Sequence, residues 1–495
     1  MTRILRKIFC FLAPAVFAGC AVGPDYETPS LESTNFELGE SHFYRDETLW
    51  KEAVPADKLP KGNWWTLFED DILNDLLQLC KDNNPTLSAA FYKIEKAREA
   101  VQIDAAELYP HADGRASYTR NGRSKNLSGS SNYTRYLLGL SYTWDLDLFG
   151  RVQRMIEADV ADAEAELYAY NNLMLSLQTQ VAQEYFTLRQ YSSEVDLLTR
   201  TLDVRKQQTA LVRRRVKLDY ANELDLQRAL QQEYEAAAQL SSLERQIALS
   251  RNRLSILVGI APANLIMGDA PLAEKTPQLP DAVPSQLLER RPDIAEAERR
   301  VCAANAAIGV AQAGFYPTIS ITANTDWTAN DIEKVLKAGS LAWGVTPQVY
   351  IPVFQAGKIS AQKRVALAEH KRTVEEYKNA VLQAFGEVEN ALARINYLGR
   401  EYKKRSDVTK ASLKVQELTL KQYELGVVDY FSVSDAQRLA LENERTQIQL
   451  RGDRFRACVQ LISALGGGWN RNEVPQEEIM PNIKGLNPTP FKLYK

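Results

Sequence analysis

The side chains able to do chemistry in this chain are few and scattered. His42, His111 and His370 stand far apart and lack partners at motif spacing. No P-loop, zinc motif or glycine-rich dinucleotide loop accompanies them, and Gly466-Gly467-Gly468 reads as a helix stop. With only 3 histidines and 5 methionines, a metal centre built on those ligands is not expected. The reading is of a protein that is not an enzyme. Its 5 cysteines are single, with no CxxC pair and no disulfide-like spacing. Cys80, Cys302 and Cys458 read as small core residues. Cys20 differs: it follows Arg3, Arg6 and Lys7, the apolar Ile8 to Val16, and Phe17-Ala18-Gly19. That is a secretory signal, too short for a spanning helix, and it delivers a thiol to its end.

The Phe-Ala-Gly-Cys segment resembles a bacterial lipobox, which implies cleavage before Cys20 and a covalent lipid, palmitate among its chains, as the sole prosthetic group. Ala21 stands where an Asp tends to retain lipoproteins at the inner membrane, so its presence implies the outer one. Formal net charge is -3 and the pI about 5.9, which offers no footprint for nucleic acid. No other apolar run approaches the roughly 18 residues that a spanning helix needs. A second set with chemical potential is Asp219, Asn222, Glu223, Gly426 and Asp429. If copies of the chain converge there, these acidic groups can repel one another or hold cations; otherwise they are solvated turn residues.

Positioning these residues is the task of a duplicated half-molecule. Asn84-Pro85 through Tyr109-Pro110 returns as Arg291-Pro292 through Tyr316-Pro317, 207 residues on, and Gly150 and Asp219 match Gly357 and Gly426 at the same offset. Each copy predicts a helix, two strands, a very long helix, a turn and a shorter returning helix. The long helices are predicted over 151–216 and 358–425, each about 100 Å at the α-helical rise. Leu167, Tyr170, Met174, Leu177, Val181, Glu184, Leu188, Tyr191, Val195, Leu198 and Leu202 alternate steps of three and four, a coiled-coil seam. The segments over 112–121, 136–147, 318–327 and 341–353 alternate with period two. Their apolar sets include Leu138, Leu140, Tyr142, Trp144, Ile319, Ile321, Trp343 and Val349; the polar sets include Ser141, Thr143, Ser320, Thr322 and Asn324. Alternation alone fits a half-buried soluble sheet; with the signal it fits an outer-membrane barrel, apolar side out and polar side to the lumen. Four strands cannot close, and unpaired edges are not tolerated in lipid, so several chains must contribute. Two would give a side-chain-filled barrel and three would begin to leave a lumen.

Cys20-Ala21-Val22-Gly23-Pro24-Asp25-Tyr26 resembles the start of lipoproteins in the outer-membrane factor family, the TolC-like exit ducts of tripartite efflux pumps. Trp64-Trp65, Glu223-Leu224-Asp225-Leu226-Gln227-Arg228, Arg290-Arg291-Pro292-Asp293-Ile294, Phe315-Tyr316-Pro317 and Asp435-Ala436-Gln437-Arg438 are similar to it as well. The resemblance implies a homotrimer in the bacterial outer membrane. A twelve-stranded β-barrel, four strands per chain, continues as a periplasmic α-helical barrel ringed by a belt. It implies docking of the Asp219 and Gly426 turns on a periplasmic adaptor protein and an inner-membrane transporter. The family often has Gly where Asp219 stands, and Asp tolerates the left-handed turn better than most residues. The expected division is signal peptide 1–19, lipid-anchored arm 20–70, first repeat 71–270, second repeat 271–468 and belt-forming tail 469–495. The expected function is a passive, gated exit duct for small molecules such as drugs. The alternatives are the exit duct of a type I protein-secretion system and a lipid-tethered periplasmic coiled-coil scaffold.

Overall fold

The structure, a computed structural model, describes residues 21–29, 63–122, 132–268, 270–277 and 291–467. The signal peptide, Cys20, most of the arm and the tail after Trp469 lie outside the described residues.

The duplication is carried into three dimensions helix by helix. Helices α1 (Asp71–Asn83) and α2 (Pro85–Ala106) lead to strands β1 (His111–Asn121) and β2 (Tyr133–Leu146), and then to α3 (Arg151–Lys217) and α4 (Glu223–Leu257). From α2 onward the second half repeats them as α5 (Pro292–Ala313), β3 (Thr318–Ala329), β4 (Leu341–Tyr350), α6 (Lys358–Glu424) and α7 (Tyr430–Ala464). The paired helices have equal lengths: 22, 67 and 35 residues in both halves.

Local chemistry sets the ends. Asp70 caps α1, accepting from the Ile72 and Leu73 amides at 3.1 and 3.2 Å. Asn84 caps α2 through the Thr86 and Leu87 amides, and Pro85 occupies the first turn, where no intrahelical N–H is needed. The abrupt passage from strand to long helix places Gly150 and Gly357 in the left-handed region, at φ 71° and 84°.

The four strands form one antiparallel meander in the order β1-β2-β3-β4. Two strand boundaries differ from expectation by three residues. β2 starts at Tyr133 because that residue still pairs with Asn121, their side chains hydrogen-bonded at 2.6 Å. β4 stops at Tyr350 rather than Val353. Tyr350 faces Thr318, the first residue of β3, and beyond them Pro317 and Pro352 bring no N–H to the ladder.

α3 is the central member, packed on α1, α2, α4, α5 and α7. Its predicted seam is real: Leu177, Val181, Leu188, Leu198 and Leu202 are buried. Glu184, the polar residue in that seam, accepts from Ser250 Oγ at 2.6 Å and Arg253 Nε at 3.0 Å. Next to it Tyr185 is buried and donates to Asp70 at 2.5 Å, tying α3 to the cap of α1. Trp64, Leu73, Leu77, Val181, Leu254 and Val459 meet in the largest apolar cluster. Cys80, Cys302 and Cys458 are buried thiols, each pushed up to about 11 by desolvation, as expected of core cysteines.

α6 is treated differently from its twin. It packs on α5 and α7, and it exposes Val365, Leu382, Tyr397, Val408 and Val415. No described helix is long and apolar enough to cross a membrane.

Candidate channel wall, anchor cradle and tip

The strand register decides whether four separate alternations make one surface. They do. Tyr142 lies opposite Ala112 on one side and Ala323 on the other, and Ala323 lies opposite Val345. Trp144 faces Ile321, Leu138 faces Trp327, and Ile319 faces Val349. Cross-strand partners share a face, so all four apolar sets fall on one side of the sheet. Leu138, Leu140, Tyr142, Trp144, Trp343 and Val349 are exposed there in the single chain. The opposite face carries every residue expected of a lumen. Ser141 pairs with Asn324, Thr143 with Thr322, and Asp145 with Ser320. It also gathers Arg115 and Ser117 of β1, the polar side of the weakest alternation in the sequence, and His111 and Asp113, which sequence reading left out. The β1 alternation was hard to see because Arg120 lands on the apolar side and Gly114 has no side chain.

The Gly-Pro-Asp-Tyr segment that begins three residues after Cys20 is cradled where strands become helices. The Val22 amide donates to the Phe149 carbonyl at 3.1 Å. Gly23 sits at φ 116° with its missing Cβ 2.6 Å from the Gly309 Cα. Asn305 Nδ2 donates to the Pro24 carbonyl at 3.1 Å. The buried Arg154 bonds the Val22 carbonyl at 3.3 Å and Asp25 at 3.2 Å, and Glu157 at 2.8 Å holds it in place. Tyr26 is buried under the Arg299 guanidinium, 5.9 Å from its ring centre. Each residue of the motif therefore has a contact of its own. Nearby on α3, burial and then the neighbouring Asp104 carboxyl push Asp159 up to about 6.

The two tip turns are geometric copies. Asp219 and Gly426 both adopt the left-handed conformation, at φ 60° and 76°. The Tyr220 amide closes on the Arg215 carbonyl and the Val427 amide on that of Gln422, each at 2.9 Å, a helix stop of the Schellman kind. Asn222 then caps α4 through the Asp225 amide at 2.8 Å, and Asp429 caps α7 through Ser432 at 3.0 Å. Those bonds hold the Asp429 carboxyl below the usual range. Glu223 accepts from Gln227 at 2.7 Å. Sequence reading missed the ties between the turns. Arg215 lies over the Tyr423 ring at 5.0 Å and Arg228 over Phe431 at 5.2 Å, while Tyr423 meets Tyr430 edge-on at 5.5 Å. Leu218, Tyr220, Leu224, Leu425 and Val427 point outward.

A family model described as outer membrane efflux protein matches residues 76–260 and again 283–467, the same 207-residue offset. The chain belongs to the outer membrane efflux protein family. It is 30% identical over 475 residues to the cation efflux system protein CusC of Escherichia coli O6:H1, covering 94% of this chain and 99% of that one. It is 30% identical over 469 residues to the solvent efflux pump outer membrane protein SrpC of Pseudomonas putida, covering 94% and 98%. The solved outer-membrane channel OprN superposes with a TM-score of 0.81 at 29% identity, over 91% of this chain and 100% of that one. The Campylobacter jejuni outer membrane channel CmeC shares the fold at 22% identity, with a TM-score of 0.83 over 93% and 98%. This family member is an outer-membrane efflux channel with a periplasmic helical extension, working as the outer-membrane component of an efflux system. Its relatives are named for efflux, which carries that reading over the protein-secretion duct and the tethered scaffold.

Proposed function

We propose that three copies of the chain close into one passive duct, with the polar sheet face lining the lumen and the two tip turns facing the pump. The internal repeat carries this reading. β2 pairs with β3 across the junction of the halves, and the 207-residue offset maps that junction onto β4 and the β1 of a further copy. Val349 then falls opposite Ala116, Ile351 opposite Gly114 and Val353 opposite Ala112. Ile351 and Val353, exposed and outside the sheet in one chain, gain partners, so the strand predicted to Val353 is completed by assembly. The helices give the same answer. α3 packs on α5 and α7, and the repeat of those contacts is α6 on α2 and α4. No comparable packing of that kind occurs among the described residues of one chain, so it calls for the next copy. Three copies supply twelve strands, enough to keep a lumen open where eight would be filled by side chains.

In this duct Ser141, Thr143, Ser320, Thr322 and Asn324 offer small solutes a polar wall of short side chains. The apolar face that carries Leu140, Ile321 and Val345 is turned to outer-membrane lipids. Cys20 carries the lipid anchor one residue from the Ala21–Tyr26 cradle. The exposed apolar tip docks an adaptor protein and through it an inner-membrane transporter, which supplies the energy. Asp219, Asn222, Glu223, Gly426 and Asp429 shape the gate by terminating the helices that must separate. CusC and SrpC are named for cations and solvents, and a polar wall of short side chains suits small solutes of either kind, drugs included. Purified protein in planar bilayers is expected to conduct, and detergent extraction of cross-linked cells is expected to recover the adaptor and transporter together with it. A protein that neither conducts nor brings down a pump contradicts this function.

A further inference from the structure

One row of the polar face departs from the rest. Arg115 of β1, Gly139 of β2 and Asp326 of β3 lie side by side in the register. Arg115 reaches across the glycine, and its Nη2 donates to both Asp326 carboxylate oxygens, at 3.0 and 2.9 Å. The reach exists because residue 139 has no side chain. A Cβ there would stand 2.0 Å from Asp326 Oδ1 and 3.4 Å from Arg115 Nε. The backbone of Gly139 is not left-handed, so what the glycine supplies is space.

The duplication provides an internal control. Moved by the repeat offset, the row becomes Thr322 and Thr346, which are paired in the register, and Thr119 of the next copy. The same place in the fold is thus built with three threonines. Neither the charges nor the glycine is required for strands to pair there. Nor is stability a sufficient reason for the pair, because solvent screens an ion pair with an exposed partner, and Arg115 is 53% exposed. What the arrangement does is lay two opposite charges flat on the wall at one level.

We propose that the Arg115–Asp326 pair, seated over Gly139, is a specificity-determining element of the duct: three neutralised pairs at one height add no charge bias of their own to a wall that also carries Asp113 and Asp145. This rests on the polar face being the lumen. A ring of unpaired like charge in a low-dielectric passage concentrates counter-ions and repels co-ions, and pairing removes that bias. The pair also holds both side chains off the lumen axis.

The test is the reversal potential of single channels in planar bilayers across a KCl gradient. Arg115→Gln leaves three carboxylates and is expected to shift the potential toward cation preference. Asp326→Asn leaves three guanidinium groups and is expected to shift it toward anion preference. The Arg115→Gln/Asp326→Asn double variant, uncharged and close in shape, is expected to return to the wild-type value. Gly139→Val, which forces the pair apart and into the lumen, is expected to lower conductance. Singles that leave the potential unmoved, or move it in the same direction, overturn the proposal. So does loss of assembly in every variant, the double included, since the pair is then a structural brace. Absence of any wild-type conductance instead overturns the channel reading beneath it, while conductance with fixed selectivity overturns this inference alone.

Discussion

At the residue scale, the two halves reach one structural solution by different side chains. Asn84 Nδ2 donates to the Leu257 carbonyl at 2.7 Å, closing the end of α4. Its counterpart Arg291 donates to the Ala464 carbonyl at 2.8 Å, closing the end of α7, while its other donors engage Asp293 and Glu387 at 2.8 and 2.6 Å. Asn84 is both cap and clamp, so Asn84→Ala removes a cap of about 1 kcal/mol and also the bond to the half-buried Leu257 carbonyl, about 1 kcal/mol more. A fall in the urea midpoint with an unchanged slope checks this. Asp159 makes a second case. Its carboxyl titrates at about 6 in the fold, above the ordinary 3.8, because burial and Asp104 disfavour its charge. The folded state therefore binds the proton more tightly than the unfolded chain does. The stability from that proton is whole below the ordinary value and is lost as pH rises through about 6. The thermal midpoint should drop between about pH 5 and pH 7 in wild type, and by less in Asp159→Asn.

At the scale of elements, the glycines make sharp predictions. Gly426→Val places a β-branched residue at φ 76° in a turn with open space around it. The strain falls on the helix stop alone, so adaptor cross-linking at the tip should weaken while the oligomer persists. Gly23→Ala sets a methyl group against the Gly309 backbone and should release the arm from its cradle, seen as new protease cleavage near residue 23 with the helices intact. The elements themselves were largely legible in the sequence. Long helices announce themselves because a seam such as Leu177, Val181 and Leu188 repeats over many turns, and Gly150 and Gly357 mark the starts. Strand faces were legible because alternation survives in Tyr136 to Leu146. The rest depended on distance. Nothing local to Gly23 indicates Gly309, and nothing near Arg215 indicates Tyr423. Asn222 and Asp429 read as possible gate residues, where the geometry gives both of them helix-capping work. β4 reads to Val353 because its apolar alternation continues past Pro352, which brings no N–H to the ladder.

At the scale of the whole molecule, the proposed assembly uses the duplication as its template: contacts between the halves are repeated between copies. The faces follow from it. Arg placed at Leu140 or Ile321, on the lipid side, should cost about 2–4 kcal/mol near the bilayer midplane, whereas Arg at Ser141 or Thr322 should be tolerated. Heat-resistant oligomer on gels separates the two sets. The central claim is that three copies close through β4 and β1 in the register dictated by the repeat, and cysteine cross-linking tests it directly. Val349→Cys combined with Ala116→Cys should oxidise to a covalent ladder ending at three chains, and Val349→Cys with Ser117→Cys, whose side chains point to opposite faces, should not. A ladder that stops at two, continues past three, or forms only with the Ser117 pair would contradict the account.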